Sequence, residues 1–165
     1  MIIELPILGF LKERPMHGYE LRQRLEIILG FTWRPSYGAL YPMLWNLERR
    51  GFIKKTGVQK GRGPQKQVYN LTDEGLARLR ALLLSKPTPV GLPSQILFLD
   101  QLSEQERKSL LRQAQKQRMA TIDRLEKERT VRCAEPLSKY QLLVMDYGLE
   151  TLKREIAWLE QLEQE

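Results

Sequence analysis

The chain has 165 residues, 42% of them hydrophobic and 28% charged, with a formal net charge of +7. That is room for one ordinary domain, or a small domain with an extension, and enough apolar material for a core. It excludes a membrane-spanning helix, because no apolar run approaches the ~20 residues a bilayer requires, and an internal disulfide, because Cys133 is the only cysteine.

The charge is unevenly divided. Residues 1–90 hold 15 Lys and Arg against 7 Asp and Glu, a net +8; residues 91–165 hold 12 against 13, a net −1. The plain reading is a solvated basic surface. The sharper one is a polyanion-binding N-terminal domain followed by a neutral part with another task. The first ten residues are apolar but contain Glu4 and Pro6 and no basic stretch, so no secretory leader is expected. With one thiol and no metal-ligand spacing, no metal and no cofactor are expected, and a reducing, cytoplasmic setting fits.

In chain order, Ile3, Ile7 and Leu11, with Leu8 beside them, line one face of a first helix that Pro15 stops. Met16–Gly30 is expected as a second helix, with Leu21, Leu25 and Ile28 inward and Gly30 as its C-terminal glycine. A third runs from Ser36, a natural N-cap, to Arg50 and ends at Gly51. Phe52–Thr56 and Lys66–Leu71 read as two short strands, and residues 57–65 as a loop rich in glycine and base. Thr72 caps a fourth helix whose first turn carries Asp73 and Glu74 and whose apolar face is Leu76, Leu79 and Leu83.

Residues 87–94 form a proline-rich linker, which divides the chain into domains 1–86 and 95–165. In the second, Gln95–Leu102 is expected as a short apolar helix. Ser103-Glu104-Gln105-Glu106 is a capping box that launches a long helix to about Cys133. Pro136 breaks it, and a last helix begins near Ser138. There Leu142, Met145, Leu149, Leu152, Ile156 and Leu159 follow the 3-4 spacing of a coiled-coil seam, a candidate dimerisation surface.

Three short helices followed by a two-stranded ribbon describe a winged helix-turn-helix. The expected fold is therefore mainly α with a small β-wing, extended by C-terminal antiparallel or coiled-coil helices. In a winged helix the last helix before the ribbon enters a DNA major groove. The stretch WRPSYGALYPML fits that task. At about 100° per residue, Leu40, Leu44 and Leu47 face inward, Gly38, Pro42 and Arg49 face outward, and Ala39, Tyr41, Trp45 and Asn46 lie on the flanks. Gly38 and Ala39 permit close approach of the backbone, and Pro42 is expected to kink or tighten the first turns. The free N–H groups behind Ser36 favour a phosphate, and the hydroxyls of Tyr37 and Tyr41 are phosphate donors. Lys60, Arg62 and Lys66 on the wing are placed for backbone or an adjacent minor groove. A helix strained only for packing, and a basic turn that is merely solvated, remain the alternatives.

These residues also resemble a known family. ILGFLKERPMHGYEL, RPSYGALYPMLWNLERRGFI and VYNLTDEGLARL are similar to motifs of the PadR family of bacterial transcriptional regulators. Asp146-Tyr147-Gly148-Leu149 and Ala157-Trp158-Leu159 resemble the C-terminal pattern of its longer subgroup. The resemblance implies a homodimeric repressor of palindromic double-stranded operator DNA, with the recognition helix beginning near Ser36 and the C-terminal helices dimerising. Some members respond to a small aromatic compound; no stretch identifies a site for such an effector here. His17 is expected at a capping or turn position. No nucleophile, metal or dinucleotide motif supports an enzyme. A winged-helix adaptor for protein partners and a nonspecific nucleic-acid binder stay open; sequence-specific binding would show an affinity ratio of ~10³ or more over random DNA.

Overall fold

A computed structural model describes residues 3–29, 36–61, 63–88, 91–131 and 138–164. The side chains of Tyr37 and of residues 58–66 and 130–131 lie outside what it describes, as do the expected C-terminal glycine at Gly30 and the break at Pro136. The chain divides into two compact units, 1–85 with 89–102, and 86–88 with 103–165.

The first unit is built around α1 (Glu4–Glu13). All of Glu4–Leu11 is buried, because the helices Gly18–Leu29, Asp73–Leu83 and Leu92–Ile96 and the strand Gly63–Leu71 pack on it. Phe10, Ile7, Leu8 and Leu11 are among its largest fully buried side chains, each contributing roughly 1.5–3 kcal/mol relative to exposure. Met16–His17, expected as the start of a helix, instead form β1. Met16 pairs with Tyr69 and His17 with Val68, giving an antiparallel three-stranded sheet in which the strand Gly63–Leu71 lies between β1 and the strand Ile53–Gly61. Two residues carry no periodicity, so only the partner strand reveals them. His17 then caps α2 (Gly18–Leu29), its Nδ1 accepting the Glu20 N–H at 3.1 Å. On α2, Leu21, Leu25 and Leu29 are buried, whereas Ile28, expected inward, is exposed.

α3 (Tyr37–Arg49) begins at Ser36, whose Oγ accepts the Ala39 N–H at 3.2 Å. It ends in a Schellman arrangement. Gly51 has φ 75°, and the Phe52 N–H reaches the Leu47 carbonyl at 2.9 Å. β2 (Ile53–Gly61) and β3 (Gly63–Leu71) are longer than expected. The segment read as a loop at 57–65 is largely strand, with pairing out to Gly61 and Gly63. Register shifts fall between Lys55 and Gly57 and between Gln59 and Gly61. Glycines that suggested a loop thus mark bulges in a ribbon. Thr72 caps α4 (Asp73–Leu83), accepting the Gly75 N–H and donating to the Gly51 carbonyl at 2.6 Å. Leu79 and Leu83 are buried there, while Leu76, expected beside them, is exposed.

The segment after the proline-rich stretch packs with the first unit rather than starting the second, as a boundary at 95 would require. α5 runs over Leu92–Ile96, followed by a single 3-10 turn at Leu99–Gln101, in place of the expected helix Gln95–Leu102. Pro93 suits a first helical turn, so the helix starts earlier than a linker would allow. Gln95 is buried, and its Nε2 donates to the carbonyls of Leu82, Leu83 and Ser85, capping the end of α4. Phe98 meets Phe10 edge-on at 5.4 Å between ring centroids and lies directly over Gly9, where any Cβ would fall 2.3 Å from its ring.

The second unit is a hairpin of two long helices, α6 (Glu104–Val131) and α7 (Lys139–Gln164). Each starts with a reciprocal cap. The Ser103 N–H donates to Glu106 at 2.9 Å, and the Ser138 N–H donates to Gln141 at 2.8 Å. The ion pairs Arg112–Glu163 (2.7 Å), Arg118–Glu155 (3.0 Å) and Arg129–Asp146 (2.9 Å) descend α7 as they climb α6, which makes the hairpin antiparallel. No helix among the described residues is long and apolar enough to cross a membrane.

Candidate nucleic-acid interface

α3 carries the candidate interface on the side turned away from the core. Leu40, Leu44 and Leu47 are fully buried and Met43 nearly so. Ser36, Gly38, Tyr41, Pro42, Trp45 and Arg49 are exposed, and Ala39 and Asn46 are half-buried at the margin. The periodicity of the sequence thus placed every outward residue of α3 whose side chain is described. Tyr37 is described only as helix backbone. Lys60 and Lys66 are described only as strand backbone, and Arg62 lies outside the described residues.

The first turn of α3 is tightened, as Pro42 suggested. The Ser36 carbonyl accepts from both Ala39 and Leu40, each at 3.1 Å. The helix is nevertheless continuous through Pro42 to Arg49. Proline lacks the N–H that would bond the Gly38 carbonyl, so the exposed side of this turn is where the helix ladder is interrupted. Gly38 has no internal justification. Its φ is not positive, and a Cβ there would meet only the Ser36 Oγ, at 3.8 Å. Glycine in a helix costs about 1 kcal/mol relative to alanine, and nothing within the described chain requires that sacrifice.

Tyr41 is 44% exposed. The ring rests along the start of α2, where a Cβ on Gly18 would lie 3.0 Å from it and 3.2 Å from its hydroxyl. Gly18 is therefore a seat for Tyr41 that sequence reasoning missed. Its only sequence signal is a glycine at the beginning of a helix, where one is unneeded for the turn. On β3, burial pushes the Tyr69 hydroxyl pKa up despite the neighbouring Lys55.

The cations around the far end of α3 have different fates. Glu4 is buried and receives two hydrogen bonds from Arg78, at 2.8 and 3.1 Å, with Arg50 at 3.5 Å. Burial alone would raise the Glu4 carboxyl, but the Arg78 hydrogen bonds and the two guanidinium charges outweigh it, leaving its pKa below the ordinary value. Arg50 also lies over Phe52, 4.6 Å from the ring centroid. Lys55 pairs with Glu48 at 2.8 Å, which raises its pKa. Arg49 instead lies over the exposed Trp45 ring at 4.8 Å.

On α7, the six seam positions are inward-leaning. Leu149 and Leu159 are buried and Leu142, Met145, Leu152 and Ile156 half-buried within the single chain. Tyr140, Leu143, Val144 and Tyr147 are exposed on the same helix, three of them at 70% or more, and sequence periodicity did not single them out. No group of three or more His, Cys, Asp or Glu among the described residues could hold a metal ion.

Comparison with known proteins matches residues 7–81 to the transcriptional regulator PadR-like family and residues 92–165 to the virulence activator alpha C-terminal family. The negative transcriptional regulator PadR of Bacillus subtilis is 28% identical over 98% of this chain and 95% of its own. A probable transcriptional regulator of Mycobacterium tuberculosis is 30% identical over 50% of this chain and 44% of its own. Among solved structures, Bacillus subtilis PadR in complex with operator DNA covers 99% of this chain and 97% of that one, at 28% identity and a TM-score of 0.49. The same protein in complex with p-coumaric acid aligns at 26% identity and a TM-score of 0.47, over 99% of this chain and 98% of that one. Residues 7–81 thus form a PadR-like transcriptional-regulator domain, and the chain is similar along nearly all its length to the Bacillus subtilis negative regulator.

Proposed function

We propose that the chain is a homodimeric, non-catalytic repressor that acts in the cytoplasm on palindromic double-stranded operator DNA. α3, from Ser36, enters the major groove, and the β2–β3 wing, with Lys60, Arg62 and Lys66 in its sequence, lies on the neighbouring backbone or minor groove. The observation that carries this reading is Gly38. An exposed first-turn glycine that nothing among the described residues requires makes sense where another surface must come close to the backbone. The net +8 of residues 1–90 supports a polyanionic surface, and the relative described as a negative regulator supports repression. Two copies meet through α7, a reading supported by the exposed Tyr140, Leu143, Val144 and Tyr147 beside the half-buried Leu142 and Met145.

Gly38→Ala tests it with effects of opposite sign. Thermal or denaturant unfolding should show a stability gain of up to about 1 kcal/mol. Affinity for a duplex selected by the parent chain from a random pool should fall. Unchanged affinity would remove this face of α3 from the contact. No duplex binding by the parent chain at low salt would instead favour a protein-interaction adaptor.

A further inference from the structure

The exposed stripe of α3 changes character along its length. Gly38 and Pro42 are small or compact; on the same side, Trp45 is the bulkiest side chain of the helix and Arg49 the longest. Gly38 and Arg49 are eleven residues apart, about 16 Å along the axis. A major groove is about 12 Å wide. A helix that enters it by its N-terminal end therefore carries its C-terminal end to the groove rim, where the nearest partners are phosphates. Long side chains are needed there, and short ones at the other end.

Among the described residues of α3, Arg49 is the cation left to reach outward. Arg50 is committed to Glu4 and Phe52, and Lys55 to Glu48. Among the described residues Arg49 has no carboxylate partner; its guanidinium lies over the Trp45 indole, one helical turn earlier, at 4.8 Å. Trp45 is 59% exposed, so it does little for the core. What it does is restrict a long, rotamer-rich side chain and hold a planar fork in one orientation.

We propose that Trp45 is a positioning residue, whose indole face holds the Arg49 guanidinium at the groove rim for a DNA backbone phosphate. This rests on the reading that α3 enters the major groove. Phosphate is favoured over a base edge because the groove floor is reached by the other end of the helix.

The test is a double-mutant cycle on the full chain. Binding would be followed by fluorescence anisotropy across a salt series, with a duplex selected by the parent chain and a random-sequence duplex. Arg49→Ala should weaken both about tenfold and lower the slope of log affinity against log salt by about one. Trp45→Ala should weaken both about three- to fivefold, and Trp45→Phe should recover most of that. In the Arg49→Ala background, Trp45→Ala should cost less than about twofold, because a positioned group must be present to be positioned. Full, independent losses from the two substitutions would overturn the positioning role. A loss confined to the selected duplex, with an unchanged salt slope, would overturn the phosphate assignment. Circular dichroism checks the fold, and Trp45→Phe keeps the test open if Trp45→Ala disturbs the helix. If the parent chain binds neither duplex, the α3 reading itself fails. If Gly38→Ala weakens binding while the cycle is additive, only the role of Trp45 falls.

Discussion

The two units of this chain solve burial differently. The first encloses α1 so completely that eight consecutive residues, Glu4–Leu11, are out of solvent, including a carboxylate met by two arginines. The second is a pair of long helices. On α7 only Leu149 and Leu159 are buried, and five large apolar side chains, Trp158 among them, remain in water. A unit that closes its own core can leave one helix face free for a ligand, here Gly38, Tyr41, Pro42, Trp45 and Arg49. A two-helix hairpin has too few layers to bury both sides of an amphipathic helix, so its remaining apolar face is where a further surface belongs.

The contrast can be broken most forcefully at Glu4. Glu4→Gln removes the anion that neutralises Arg78 and Arg50. It should cost about 2–4 kcal/mol in denaturant unfolding, below the full value for a buried pair because both guanidiniums are partly solvated. The pH dependence has a definite sign. The folded-state pKa of Glu4 is depressed, so its contribution is present above the unfolded carboxylate value and is lost as pH falls through the folded one. The parent chain should therefore lose stability into acid more steeply than the variant. Parallel acid profiles would mean that the cluster contributes nothing to the first unit.

The hairpin offers the next largest effect. Leu143→Glu with Tyr147→Glu should shift sedimentation from dimer to monomer and lower operator-duplex affinity about a hundredfold, since two tethered domains become one. Neither position is buried in the single chain, so the hairpin itself should persist by circular dichroism. A variant that stays dimeric would move the contact onto the seam around Leu142 and Met145.

The smallest effect sharpens the first unit's exposed face. Tyr41→Phe retains the ring that rests on Gly18 and removes only the hydroxyl. Affinity should fall about three- to fivefold, the scale of one modest hydrogen bond, with the fold retained by circular dichroism. Equal affinity would make Tyr41 a packing residue that happens to be half in water.

Much of this was legible before any coordinates. Ser36, Thr72 and Ser103 act as caps because capping needs only a side chain and a backbone three residues away. The inward leucines of α3 and the stop at Gly51 are equally local, read from a 3.6-residue period and a left-handed residue. The outward set Gly38, Pro42 and Arg49, with Tyr41 and Trp45 on its flanks, followed from the same wheel. The wing was harder. Its glycines marked bulges as well as a turn, and only strand pairing separates the two.

What the tertiary structure alone decided involves partners far apart in sequence. β1 exists because Tyr69 and Val68 lie beside Met16 and His17, and two residues have no pattern of their own. Leu92–Leu102 joins the first unit because Phe98 finds Gly9 and Gln95 finds the end of α4. Among Arg49, Arg50 and Lys55, composition sees three equal charges. The fold commits Arg50 and Lys55 to carboxylates and leaves Arg49 on an exposed indole. Periodicity and capping act within one or two helical turns, so the sequence by itself determined the main helices, their caps and the family resemblance. Charge pairing and face-to-face packing depend on distances between turns remote along the chain, and those exist only once it is folded.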